Sequence, residues 1–321
     1  MIGTGALGFH HVRLLQTLSD VCVVGCFDTD SARAAAVARD LGVRAYGTLD
    51  ELLQAVEAVT VVVPTSAHYE VARAAIESGV HVFIEKPICA TVAEADALLQ
   101  AAVEAGVLVQ TGHIERFNRA VRAALPFVAG PRFIESDRLA PFNPRGSDVA
   151  VAVSYTHLRA HETGRNLVCS LVGAPVSDVA AVGVPLLTKS VDIANARLTF
   201  ATGAVANITA SRVSKERLRK LRIFQPNGYF SLDLAAGEGE FYRLRRDVDL
   251  AALATAPLAI EAFVERIRLE ASDEEPLRLE LETFVAAVRG EAPVPVTGDD
   301  GRMALAVALR IVDEISSTAP P

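Results

Sequence analysis

The chain has 321 residues, with 39 acidic against 31 basic side chains and a net charge of −8. That length leaves room for two domains, each with its own core, and the acidic balance argues against nucleic acid as a partner, since phosphate binding needs a basic face. No apolar run reaches the ~20 residues needed to span a bilayer, and the start lacks the basic opening and small-residue cleavage site of a secretion signal.

In chain order, the run Gly3-Thr4-Gly5-Ala6-Leu7-Gly8 opens a helical stretch over residues 10–18. Strands are then expected over 21–27, 58–63, 81–84 and 107–110, and helices over 31–40, 66–78 and 91–105. Near-continuous Val/Ile runs indicate strands buried on both faces, and their alternation with helices indicates right-handed β-α-β units. The fold class is therefore α/β, with a doubly wound parallel (Rossmann) sheet over residues 1–118. Thr91 with Glu94 three residues on is a capping box.

Residues 119–321 change character. Runs at 191–200 and 204–213 flank Ala201-Thr202-Gly203, and runs at 221–224 and 229–234 flank Pro226-Asn227-Gly228. These hairpin and turn signals predict a mainly antiparallel sheet in a C-terminal α+β domain for substrate and oligomerisation. Helices over 277–288 and 302–315 close the chain, the last a candidate to pack back on the first domain. The spacing of Lys215, Arg217, Arg219, Lys220 and Arg222 suits the solvated face of a strand, with a phosphate-bearing substrate as the sharper reading. Cys22, Cys26, Cys89 and Cys169 show neither disulfide nor zinc spacing, so a reduced, cytoplasmic location is expected. Cys22 and Cys26 are expected to share one side of a buried strand.

The glycine run with Asp28, 20 residues after Gly8, has the dinucleotide-binding spacing. Gly3 allows the tight turn, Gly5 lets the backbone approach a pyrophosphate, and Gly8 lets helix and strand pack closely. The pyrophosphate would sit on the helix N-terminus, with Thr4, Ala6 and Leu7 completing the loop. Asp28 would accept from the adenosine ribose hydroxyls and repel a 2′-phosphate, which favours NAD over NADP. Further on, Glu85-Lys86-Pro87 ends the strand at 81–84 and places a lysine where α/β sheets bind ligands.

These motifs, with Val63-Pro64-Thr65-Ser66-Ala67-His68, Gly112-His113-Ile114-Glu115-Arg116-Phe117-Asn118 and Thr297-Gly298-Asp299-Asp300-Gly301, resemble the glucose-fructose oxidoreductase and inositol 2-dehydrogenase (Gfo/Idh/MocA) family. The resemblance implies an NAD-dependent oxidoreductase that moves a hydride between nicotinamide and a secondary hydroxyl or ketone of a sugar or nucleotide sugar. It places Pro64, Thr65 and His68 beside the nicotinamide ribose and has Glu85 orient its loop. Lys86 is the catalytic group at the reacting hydroxyl, and Arg116 and Asn118 are substrate residues. The motif Gly112–Asn118, with Arg138-Leu139-Ala140-Pro141-Phe142 further on, is most similar to members that oxidise UDP-N-acetylglucosamine at its 3-hydroxyl. A homodimer or homotetramer, with the sheets paired face to face, is also implied.

Two places depart from the family pattern. Only Met1 and Ile2 precede Gly3, so the first strand reads as clipped. Residues 154–169 stand where the family keeps an acid/base histidine, and the string resembles translated sequencing-adapter sequence inserted into the reading frame. Its plain reading is a loop without a role. His157 and His161 are the candidates to replace the missing acid/base. Their spacing fits neither known zinc-helix motif, so no metal is expected. If the segment abolishes turnover, a cofactor-binding but catalytically impaired protein results.

Overall fold

The computed structural model describes residues 1–142, 165–188, 190–245 and 263–318. By contacts the chain forms two units, Met1–Ile114 with Glu274–Ala306, and Glu115–Asp273 with the chain from Val307 on. Residues 274–306, placed by sequence with the second domain, thus group with the first unit.

The first unit holds β1 (Gly25–Cys26), β2 (Arg44–Ala45), β3 (Ala58–Val61), β4 (His81–Ile84) and β5 (Val109–Thr111), all parallel to their neighbours. Ile2 bridges Phe27 on one side and Val61 on the other. The backbone bonds Gly3 N to Phe27 O (2.9 Å) and Val62 N to Ile2 O (2.8 Å) show three residues serving as the central strand. The sheet order is β2, β1, the Ile2 strand, β3, β4, β5, the doubly wound order with its reversal beside Ile2. Val82, Phe83 and Ile84 are 0% exposed, as expected of a strand covered on both faces.

Helices α1 (Ala6–Leu15), α2 (Ser31–Leu41), α3 (Leu49–Leu53), α4 (His68–Glu77) and α5 (Val92–Ala105) connect these strands, and a single 3₁₀ turn at Thr65–Ala67 precedes α4. The capping box is present: Glu94 N donates to Thr91 Oγ1 and Thr91 N to Glu94 Oε2, each at 3.1 Å. The expected strand over 21–27 is shorter, because residues 21–24 find no partner and pairing begins at Gly25, with Gly25 and Cys26 in the ladder to β2 and Phe27 bridged to Ile2. Cys22 is exposed while Cys26 is buried, so the two do not share a buried face.

The second unit begins with α6 (Arg119–Ala124) and β6 (Phe133–Leu139) and continues with α7, helical over residues 165–172. It then runs through β7 (Val176–Val184), β8 (Ile193–Phe200), β9 (Val205–Ser211), β10 (Leu218–Gln225), β11 (Gly228–Asp233), β12 (Glu238–Leu244) and β13 (Val264–Leu269). Two more helices follow, α8 (Pro276–Val288) in the first unit and α9 (Gly298–Thr318), within which the unit boundary falls. The eight strands form one sheet in the order β13-β12-β11-β10-β6-β9-β8-β7, antiparallel throughout except for β6 beside β9. One face carries the core, including Ile134, Leu198, Ile208, Leu221 and Phe230 with Leu167, Val168 and Ile311. The other face bears a stacked row, Phe133, Phe224, Tyr229 and Tyr242, with ring centroids 5.6, 5.4 and 4.7 Å apart.

The end of the 154–169 string is not a loop: residues 165–169 belong to α7, and Leu167 (2%) and Val168 (0%) are core residues. Leu167, Val168, Leu171 and Val172 recur at helical spacing, which gives this stretch an apolar face. The basic run around β10 is also not one solvated face. Lys220 and Arg222 share the open face, whereas Arg219 alternates with Leu221 and Ile223 on the core face.

Candidate active site

Five of the sequence motifs lie at the carboxyl ends of adjacent parallel strands. Asp28 follows β1, the glycine loop follows Ile2, residues 62–68 follow β3, Glu85-Lys86 follows β4 and Gly112-His113 follows β5. Chain ends at this edge of a doubly wound sheet, next to the order reversal, form the ligand crevice of the fold.

The loop geometry explains each glycine. Gly3 has φ 88°, a left-handed conformation that side chains resist. A Cβ on Gly8 would collide with the Gly3 carbonyl oxygen, so this pair sets the close passage of α1 under the loop. Gly5 is different: a Cβ there meets nothing within 4 Å, so its face is open. Gly5 is also the N-cap of α1, and it supplies no side-chain cap to the first-turn amides. An open backbone surface at the amide end of a ten-residue helix fits a pyrophosphate. Ala6 and Leu7 of the same turn are exposed.

Asp28 is fixed beside this loop. Its Oδ2 accepts from Thr4 N (2.7 Å) and Thr4 Oγ1 (2.9 Å), and its Oδ1 accepts from Asp30 N (2.9 Å). Arg33 Nη1 lies 3.6 Å from Oδ2 while its Nη2 pairs with Asp30 at 3.1 Å. Burial works to raise the Asp28 pKa, but the Asp30 and Thr4 amides, the Thr4 hydroxyl and Arg33 outweigh it, leaving the carboxyl below its ordinary value. A carboxylate has about four acceptor positions, so one position on Oδ1 remains to receive a further donor.

Glu85 and Lys86 stand at the end of β4, joined to Pro87 by a cis peptide bond. Glu85 Oε1 is 3.3 Å from His11 Nε2, and Lys86 N donates to Glu85 Oε2 at 3.2 Å. Burial pushes the Glu85 pKa up, yet His11 and the Lys86 charge and amide together hold it below the usual carboxylate range. Lys86 itself is half-buried. Pro64 is exposed and Thr65 is 8% exposed. His68, expected beside the ribose, is turned inward: it is 0% exposed, with Nδ1 2.6 Å from Pro87 O and Nε2 2.9 Å from Val63 O. It therefore ties the β3 loop to the β4 loop.

In the second unit Arg116 Nε donates to Asn166 Oδ1 at 2.8 Å. Asn118 caps α6, accepting from Ala120 N at 3.0 Å, and its Nδ2 donates to Leu234 O (2.9 Å) and Glu115 Oε2 (3.2 Å). His157 and His161 lie outside the described residues. Among the described residues no group of three or more His, Cys, Asp or Glu could hold a metal ion, and no helix is long and apolar enough to cross a membrane.

Sequence reasoning missed His11 and Glu280. Glu280 is 0% exposed; its Oε1 accepts from His113 N at 2.5 Å and its carbonyl from Gln110 Nε2 at 3.2 Å. Its signal is visible in retrospect: Leu277, Leu281 and Phe284 form the buried stripe of α8, and Glu280 falls inside it. An apolar cavity lined by Leu15, Val21, Val59 and Phe284 lies toward the other ends of β1 and β3, away from these motifs.

A Rossmann-type unit with a glycine loop, an acid after β1 and a lysine after β4 defines a dinucleotide-dependent oxidoreductase. Residues 1–113 match the Gfo/Idh/MocA oxidoreductase family with an NAD-binding Rossmann fold. The whole chain is 38% identical over 315 residues to UDP-N-acetylglucosamine 3-dehydrogenase of Acidithiobacillus ferrooxidans, covering 97% of this chain and 95% of that one. The solved structure of that dehydrogenase superposes with a TM-score of 0.87, covering 98% of this chain and 96% of the other. Myo-inositol 2-dehydrogenase of Thermotoga maritima is 26% identical over 95% of this chain and 92% of its own length. The chain belongs to the Gfo/Idh/MocA family of oxidoreductases.

Proposed function

We propose that the chain is an NAD-dependent dehydrogenase that oxidises a secondary hydroxyl of a nucleotide sugar, with UDP-N-acetylglucosamine as the leading substrate. The observation that carries this reading is the placement of Lys86 and the Gly3–Gly8 loop at the same edge of the parallel sheet, on strand ends separated by β3 alone, together with similarity over 97% of the chain to an enzyme of that name. When bound, the nicotinamide supplies the hydride acceptor. Gly5 and the α1 amides hold the pyrophosphate, and Asp28 accepts from the adenosine ribose. The Lys86 ammonium bonds the reacting hydroxyl and favours its ionised form by charge. Glu85, anchored by His11, holds the Lys86 backbone in place. Asp28 favours NAD, because a 2′-phosphate would meet its carboxylate.

The rival reading is cofactor binding without turnover. It rests on residues 154–169 standing where the family keeps an acid/base histidine. One experiment separates the two: NADH is titrated by fluorescence, and NAD reduction is then followed at 340 nm with UDP-N-acetylglucosamine, UDP-glucose and myo-inositol. Turnover of a nucleotide sugar supports the dehydrogenase; NADH binding with no turnover on any substrate sinks it for this chain.

The stacked row Phe133, Phe224, Tyr229 and Tyr242 is half-buried on the open face of the large sheet. It supports a homodimer formed by pairing that face with a second copy, and a monomer in light scattering would refute it. The four free cysteines agree with a cytoplasmic location.

A further inference from the structure

Charge is distributed unequally over the two faces of the eight-stranded sheet. On the open face Lys220 of β10 stands in register between Asp137 and Asp233, and Arg222 Nη1 lies 3.5 Å from Glu135. Both of these β10 cations have acids beside them. On the core face Arg138 of β6 and Arg219 of β10 are direct cross-strand partners. Two like charges in that relation repel one another. Glu115 is in ion-pair contact with Arg219, and among the described residues no carboxylate pairs with Arg138.

Arg138 is in register with Ala210, and Ala210 with Ala194, so the next two strands present only methyl groups on that row. Both alanines are buried, whereas Arg138 keeps an exposed surface. Desolvation by the neighbouring protein pushes both guanidinium pKa values below the ordinary arginine range; for Arg219 the charge of Asp233 works the other way. A partly desolvated pair of guanidinium groups in which Arg219 alone has a carboxylate partner, in a chain of net charge −8, is a local attractor for an anion.

We infer that Arg138 and Arg219 form the subsite that holds the diphosphate of the substrate, Arg138 through the two-pronged hydrogen bonding its planar fork allows. This deepens, and rests on, the nucleotide-sugar reading. Glu115 takes part by holding the Arg219 side chain, which leaves Arg138 as the group whose charge the ligand satisfies.

The test uses the full chain and isothermal titration with UDP, inorganic pyrophosphate and uridine, on the wild type, Arg138→Gln, Arg138→Lys and the open-face control Arg222→Gln. Arg138→Gln is expected to weaken UDP and pyrophosphate by about 10–100-fold, the size of a lost charge-assisted hydrogen bond. Arg138→Lys recovers part of that loss, Arg222→Gln leaves it at the wild-type value, and uridine binds none of the four measurably. NADH titration and thermal melting of the same proteins report cofactor binding and folding. Wild-type protein that binds NADH but not UDP, or a folded Arg138→Gln with wild-type UDP affinity, overturns the proposal. Failure of NADH to bind, with UDP binding still dependent on Arg138, refutes the dehydrogenase reading instead. Should Arg138→Gln not fold, the same comparison is made with Arg138→Lys, and unchanged UDP and pyrophosphate affinity there is equally fatal.

Discussion

The Asp28 carboxylate and Thr4 are joined twice, through the Thr4 amide at 2.7 Å and the Thr4 hydroxyl at 2.9 Å, both on Oδ2. This fixes the acid's rotamer against the glycine loop and leaves Oδ1 turned to its remaining donor. Thr4→Val removes one of the two bonds without changing the shape of the side chain. NADH affinity is expected to fall about 5-fold, matching ~1 kcal/mol for a hydrogen bond, as read from fluorescence titration.

Arg33 lies between Asp28 and Asp30, its side chain half exposed at 52%. On the proposed reading, Asp28→Ser removes the acid expected to oppose a 2′-phosphate and leaves Arg33 nearby. The ratio of NADPH to NADH affinity is expected to rise at least ~10-fold, since the change swaps repulsion for an attractive cation. Paired titrations with the two cofactors measure it.

Lys86→Met keeps the length of the side chain and removes its charge. NADH binding is expected to persist, while turnover of an accepted sugar substrate falls by about 10²–10⁴-fold, the range for a lost acid–base or oxyanion-stabilising group. Equal turnover in the variant would remove Lys86 from the chemistry.

The Glu85 pKa is held below its ordinary value, so the folded state binds fewer protons here than the unfolded state. Its contribution to stability is fully present above the ordinary glutamate pKa of ~4.3. It is lost as pH falls through the depressed folded value. Urea denaturation of the wild type should therefore show stability declining as pH falls below about 4, and Glu85→Gln should flatten that part of the slope.

Asp192 is 0% exposed and accepts from three successive amides, Leu186 N, Leu187 N and Thr188 N, at 2.6–2.9 Å, with Arg212 Nε on its other oxygen at 2.7 Å. Burial opposes its ionised form, but these donors hold the pKa well below the carboxylate range. Asp192→Ala breaks this buried pair and strands the donors, with an expected cost of ~3–5 kcal/mol in chemical denaturation.

Where a stretch of sequence specifies its own local structure, the fold was readable. The strand at His81–Ile84 and the Thr91 capping box are set by nearby residues alone, and the glycine loop by backbone conformation. Structure that depends on a distant partner was not. Residues 21–24 are as β-prone as Gly25–Cys26 yet lie beyond the ladder, because pairing needs a neighbour strand opposite. Strands β6, β7, β12 and β13 escaped notice. β7 and β13 are edge strands that expose much of their length, and in β6 and β12 charged residues thin out the apolar alternation, so it is the pairing with neighbours that defines them. At the site, motif residues could be read and their contacts could not. His68 was visible as a histidine after β3, but only the three-dimensional structure shows it clasped between two carbonyls. Arg138 and Arg219 are 81 positions apart, and nothing but register places them side by side.

The contrast among the three loop glycines has a practical consequence. Side chains at Gly3 and Gly8 would meet backbone and threaten the fold itself, whereas one at Gly5 projects into empty space. Gly5→Val is thus expected to uncouple occupancy from architecture, leaving the fold intact while obstructing the proposed nucleotide berth, so that every effect ascribed to the dinucleotide can be calibrated against it.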